Sequence, residues 1–98
     1  MKEEIKEIIK NMVKVENMRN SKGNDIPNQF IVYGKDFKLF QSYNSPIAMF
    51  KGGKTYIFED YDYSKTTGKY RNDFLNEGIA DTRAKLKNGE YIAVDFEV

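Results

Sequence analysis

The sequence predicts a single α+β domain, with an antiparallel sheet of about five strands covered by an N-terminal helix and two short helices. Three observations lead there. The 98-residue chain is long enough for one hydrophobic core and too short for two. Aromatic and β-branched runs separated by turn residues fill its middle third. Apolar residues recur at helical spacing before those runs and again after them.

The first element is an amphipathic helix over residues 1–15, where Ile5, Ile8, Ile9, Met12 and Val13 share one face and Glu3, Lys6, Glu7 and Lys10 form a charged flank. A small antiparallel sheet needs a cover on its apolar face, so this stripe is expected to fold back onto the domain's own sheet, with a second copy as the alternative. Residues 16–28 switch to Asn, Ser, Lys and Gly and close on Ile26-Pro27, the composition of a flexible connector. The α+β core then occupies residues 29–98.

Within that core, strands are expected at residues 30–33, 37–43, 47–50 and 55–58. Gly34-Lys35-Asp36 and Ser45-Pro46 separate the first three, and Lys51-Gly52-Gly53-Lys54 forms a tight hairpin before the fourth. After an acidic run, Ser64 or Thr66 caps a helix that docks through Tyr70, Phe74 and Leu75 and stops at Gly78. Residues 79–87 form a second short helix ended by Asn88-Gly89. The tail over residues 91–98 alternates, which puts Ile92, Val94, Phe96 and Val98 on the buried face of a last strand.

Composition narrows the function. There is no Cys and no His, which excludes Cys/His hydrolases, Ser-His-Asp triads, zinc fingers and disulfide scaffolds. Seven Tyr and seven Phe indicate an aromatic core in place of a disordered chain. No apolar run approaches the ~18 to 20 residues of a membrane span, so a cytoplasmic protein without membrane contact is expected. Sixteen basic against fifteen acidic residues, a net +1, indicate neither a strongly basic nucleic-acid binder nor an acidic DNA mimic. The distribution is bipolar. Residues 29–58 carry Lys35, Lys38, Lys51 and Lys54 against Asp36, whereas residues 59–78 carry Glu59, Asp60, Asp62, Asp73 and Glu77 against Lys65, Lys69 and Arg71.

Three stretches resemble functional motifs. Residues 48–55 satisfy a loose phosphate-loop pattern ending Gly53-Lys54-Thr55. That loop works only when a helix follows it, and Thr55-Tyr56-Ile57-Phe58 reads as a strand. Glu59, Asp60 and Asp62 crowd three carboxylates together. Counted as a calcium loop from Asp60, however, the sixth position is Lys65 where Gly is required and the twelfth is Arg71 where Glu is required. These acids instead suit contact with an Arg-rich partner. Lys51-Gly52 followed by Tyr56 and Phe58 fits the aromatic RNA-recognition pattern poorly, but Lys35, Lys38, Lys51 and Lys54 near Phe37, Tyr43 and Tyr56 keep a nucleic-acid surface as the second reading. No catalytic set, metal site or cofactor is expected.

Two segments carry more information together. Phe40-Gln41-Ser42-Tyr43-Asn44-Ser45-Pro46-Ile47-Ala48 and Tyr63-Ser64-Lys65-Thr66-Thr67-Gly68-Lys69-Tyr70 resemble a family of small proteins encoded by phages and other mobile elements of low-GC Gram-positive bacteria. The likeness covers about residues 20–98 and transfers no catalytic assignment. It implies a non-enzymatic protein that binds and inhibits a host defence protein, such as an anti-CRISPR inhibitor of a CRISPR effector nuclease. Glu59, Asp60, Asp62, Lys51 and Lys54 are the expected partner-binding residues. Ser42, Tyr43, Ser64, Thr67 and Tyr70 are expected to form a polar network, with Gln41 and Tyr43 tying the sheet to the helix cap. If that network instead lines an open cleft, a small-molecule or peptide site follows. Either a monomer or a homodimer fits the sequence.

Overall fold

The computed structural model describes residues 12–98. Six strands make one sheet in the order of the chain, β1 (Met12–Arg19), β2 (Asp25–Gly34), β3 (Phe37–Ser42), β4 (Ser45–Lys51), β5 (Lys54–Phe58) and β6 (Tyr91–Val94). Two helices, α1 (Lys65–Leu75) and α2 (Ile79–Asn88), lie between β5 and β6. The architecture is α+β, as the order of helical and strand-like segments predicts, but the sheet is mixed. The first four pairings are antiparallel and β6 runs parallel to β5. Parallel neighbours need a long crossover, and the two helices supply it.

The expected flexible connector over residues 16–28 is corrected. Its first part belongs to β1 and its last part to β2, joined by a tight turn. In that turn the Asn20 side chain accepts hydrogen bonds from the amides of Lys22 (2.9 Å) and Asn24 (3.0 Å), and Gly23 takes a positive φ of 81°. Pro27 is accommodated because the β1–β2 register is irregular between Asn17 and Arg19, where Asn28 also adopts a φ of 65°. The expected helix over residues 1–15 is corrected at its end, since Met12 to Val15 are strand. Its remainder, residues 1–11 with Ile5, Ile8 and Ile9, lies outside the described residues.

Each turn follows local chemistry. Gly52 and Gly53 have φ of 59° and 74°, the left-handed pair a two-residue hairpin requires. Gly34 is needed for a different reason, because a Cβ there would lie 1.9 Å from the Phe37 ring. Ser64 caps α1 through a 3.1 Å hydrogen bond accepted from the Thr67 amide. The stop of α1 is Asn76, left-handed at φ 57°, whereas Gly78, the expected stop, is the N-cap of α2.

The tail departs from its predicted phase. Tyr91, Ala93 and Phe96 pack against the core, while Ile92 is 36% and Val98 64% exposed. Asp95 causes the switch. Its φ of 61° ends the strand after Val94 and turns Phe96 inward to stack on Tyr61 at 5.7 Å.

Among the described residues, the buried apolar side chains of the sheet, Ile31, Phe40, Ile47, Ala48 and Ile57, pack under the helices. One cluster joins Ile31, Phe40 and Ile47 with Tyr70 and Phe74, and the other joins Ala48 and Ile57 with Leu75 and Leu86. Phe74 bridges them, 4.7 Å from Phe50 and 5.8 Å from Phe40. No helix among the described residues is long and apolar enough to cross a membrane.

Candidate interaction surface

The two faces of the sheet divide the polar chemistry. On the helix-covered face, Ser42 at the end of β3 reaches Thr67 on α1, with the two hydroxyl oxygens 2.8 Å apart. Ser64 donates a further hydroxyl bond to Thr67 at 3.1 Å. Ser42 and Thr67 have no exposed surface, so this layer is closed and acts as a strut between sheet and helix. Gln29, opposite Ser42 in register, is likewise sealed, and its amide has no hydrogen-bond partner among the described residues. Of the other residues expected in the network, Tyr43 is 46% exposed and Tyr70 packs with the core, so neither joins the Ser42–Thr67–Ser64 chain. Gln41 does not reach α1 and bonds only the Tyr43 carbonyl.

Asp62 also serves the fold. Its two oxygens accept from Arg71 (3.1 Å) and Arg83 (2.7 Å), which joins the segment before α1 to both helices. Arg71 is 2% exposed; its Nη1 also donates to the Tyr61 carbonyl and its Nη2 to the Asn72 side chain, while its buried Nε has no partner among the described residues. Asp62 is therefore separated in role from Glu59 and Asp60, with which the sequence groups it.

Glu77, which carries no sequence motif, anchors a third polar group. Its side chain is 6% exposed and accepts from Lys85 (2.5 Å), Thr82 (2.6 Å) and Tyr91 (2.8 Å). Burial pushes this carboxyl up, but the three hydrogen bonds outweigh it and hold the group below its ordinary value. Burial and the same contact push the Tyr91 phenol up, and the Glu77 contact raises Lys85. The spacing of Glu77 and Lys85 across a helix start was the available signal, and it is a weak one.

The opposite face carries no helix among the described residues. Its register sets Val15 beside Val32, Val32 beside Leu39, Leu39 beside Met49, Met49 beside Tyr56 and Tyr56 beside Ile92. This is an unbroken apolar row across all six strands, and none of its members is buried. Alternation in the individual strands contained the signal, but only the register assembles it.

The row is bounded by opposite charges along the strand direction. Lys51 and Lys54 pair across the β4–β5 hairpin, both exposed and both on the open face by alternation with Met49 and Tyr56. At the other end of β5, Glu59, Asp60 and Asp95 rim a concavity of about 260 Å³ with Pro46, Phe58 and Val94 as its apolar lining. About 13 Å of strand separates Lys54 from Phe58, so the expected partner-binding residues form two poles of one face and not one cluster. Lys38 is split from the other lysines. It pairs with Tyr33 and Phe50 on the helix-covered face, where its ammonium lies 5.7 Å from the Phe74 ring centre.

Among the described residues no three carboxylates come together in a way that would hold a metal ion. No curated protein and no solved structure matches this chain. A family model does, over residues 13–92, which runs from β1 to the start of β6 and takes in Lys51, Lys54, Glu59 and Asp60 but not Asp95. The chain therefore belongs to the DUF8033 family, a family of unknown function.

Proposed function

We propose that this protein is a non-enzymatic binder that inhibits a host protein by accepting one of that protein's basic side chains at the acidic pole of its open sheet face. The observation that carries the reading is the concavity rimmed by Glu59, Asp60 and Asp95 over Pro46, Phe58 and Val94. An Arg side chain is amphipathic, with an aliphatic stem that suits the apolar lining and a guanidinium that suits the carboxylate rim. The adjoining row from Met49 to Ile92 gives the partner an apolar surface to cover, and such half-exposed patches are what binding modules present. The engagement of Asp62 and Glu77 in ion pairs that hold the fold supports a non-enzymatic role.

Within this reading the protein acts in the bacterial cytoplasm, and the mobile-element resemblance makes a defence protein, such as a CRISPR effector nuclease, the target class to test first. Tagged protein is incubated with host lysate and with purified effector nucleases, and capture is scored alongside an interference assay. The wild type is expected to retain a host protein and to block its activity, and the Glu59→Lys/Asp60→Lys variant to lose both while remaining folded. Capture that survives this charge reversal removes the acidic pole from the mechanism. Nucleic-acid binding is the second reading, and the position of Lys38 on the helix-covered face weakens it. A steep fall in oligonucleotide affinity with salt, relieved by replacing Lys51 and Lys54, would restore it.

A further inference from the structure

The geometry points to a regulatory occupant of this same face: a second copy of the chain, packed open face to open face in an antiparallel two-fold dimer. The role assigned to that dimer rests on the proposed function, but its geometry stands by itself.

A two-fold axis in the plane of the interface, perpendicular to the strands, sets each strand over its own counterpart and reverses its direction. Tyr56 of one copy then faces Tyr56 of the other, and the apolar row lies against itself. The reversal also carries Lys51 and Lys54 of each copy over the other copy's acidic pole, because the lysines lie at one end of β4 and β5 and the acidic pole lies at the opposite end of β4, β5 and the neighbouring β6. The open face is thus self-complementary in charge for this one arrangement. An axis parallel to the strands would oppose lysine with lysine and acid with acid. Lys51 and Lys54 already face each other across the hairpin, a like-charge pairing that costs stability within one copy and that carboxylates from outside would relieve.

Area sets the strength. Six strands spaced by about 4.8 Å give a face roughly 24 Å wide, and the shared strand length is roughly 15 Å, so each copy presents a planar area of about 400 Å². That is about half of what each partner contributes to a standard stable interface, which places the dimer among weak associations. Weakness suits the role. A second copy that fills the acidic concavity with Lys54 occupies the site of the host protein's basic side chain and yields it to a tighter partner by mass action.

The test is sedimentation velocity on the full chain across a dilution series in the micromolar range, with circular dichroism confirming the fold of every variant. Wild type is expected to show a concentration-dependent monomer–dimer equilibrium that Met49→Glu abolishes. Lys51→Glu/Lys54→Glu and Glu59→Lys/Asp60→Lys are each expected to weaken it by about tenfold or more through like-charge contacts. The variant combining all four reversals restores opposite charges across the interface and is expected to return to within about threefold of wild type. A monomer at every concentration overturns the proposal. So does a dimer that the charge reversals leave intact, or a monomer that dimerises only after Ile5, Ile8 and Ile9 are changed to serine, which would assign the face to the N-terminal segment. A monomer that still captures a host protein sinks the dimer and spares the binding function. A dimer that captures nothing does the reverse.

Discussion

Replacing Glu77 with alanine is expected to destabilise the domain by about 3 kcal/mol, read as a fall of roughly 15 °C in melting temperature. The carboxylate is nearly sealed and holds Lys85 and Thr82 on α2 and Tyr91 on β6, so its removal leaves three donors without their acceptor. The lower part of the range for a broken buried pair applies because Lys85 is 35% exposed and water screens it. The same site predicts the pH profile. The folded Glu77 carboxyl titrates below its ordinary value of 4.5, so its stabilisation is complete above that pH and is lost as pH falls through the folded value. Tyr91 and Lys85 have the opposite sign. Their folded values are raised above 10.0 and 10.5, so their stabilisation is complete below those values and is lost as pH rises through the folded ones. Urea melts at successive pH values should therefore show a plateau with an acid edge. Glu77→Gln should flatten that edge, because glutamine still accepts hydrogen bonds but does not titrate. An acid limb unchanged in Glu77→Gln would assign it to other groups.

Arg71→Ala is expected to be as damaging, at about 3 to 4 kcal/mol. The guanidinium is almost wholly buried, and its loss leaves the Tyr61 carbonyl, one oxygen of Asp62 and the Asn72 side chain short of donors. For a domain of this size, whose total stability is on the order of 5 to 15 kcal/mol, either substitution threatens folding at 37 °C. Arg71→Lys should rescue little, since an ammonium cannot reproduce the fork that serves Tyr61, Asp62 and Asn72 together. A double-mutant cycle with Asp62→Asn, followed by chemical denaturation, isolates the ion pair. A coupling near zero would show that Arg71 acts through its bonds to Tyr61 and Asn72 and not through Asp62.

Where the sequence was legible, local chemistry decided the outcome. Gly52-Gly53 specifies its hairpin by backbone conformation alone, and Ser64 specifies the start of α1 by supplying an acceptor at the one place a helix lacks one. Where it was not, the deciding interaction was remote. β1 has too little apolar alternation to announce a strand, and it forms because β2 offers a partner ladder. The parallel placement of β6 depends on how the two helices pack, and its phase depends on a single left-handed residue, Asp95. The candidate site shows the same division. Lys51, Lys54, Glu59 and Asp60 were each legible as exposed charges, but their arrangement as two poles flanking an apolar row required the register of six strands.

The parallel pairing of β5 with β6 has a consequence for the order in which the chain assembles. The other strand pairs are hairpin neighbours that close over short loops, whereas every β5–β6 pair, from Thr55 with Tyr91 to Phe58 with Val94, is separated by 36 positions in sequence. Closing that long loop carries an entropic cost before any contact is gained, so the hairpins form early and β6 is added last, after α1 and α2 have docked. The latch that holds it, Tyr91 on Glu77, then joins the final strand to the helix junction that precedes it. Native-state hydrogen exchange should find the β6 amides opening at lower free energy than those of β3 and β4, and equal protection across the sheet would show that the domain assembles as one unit.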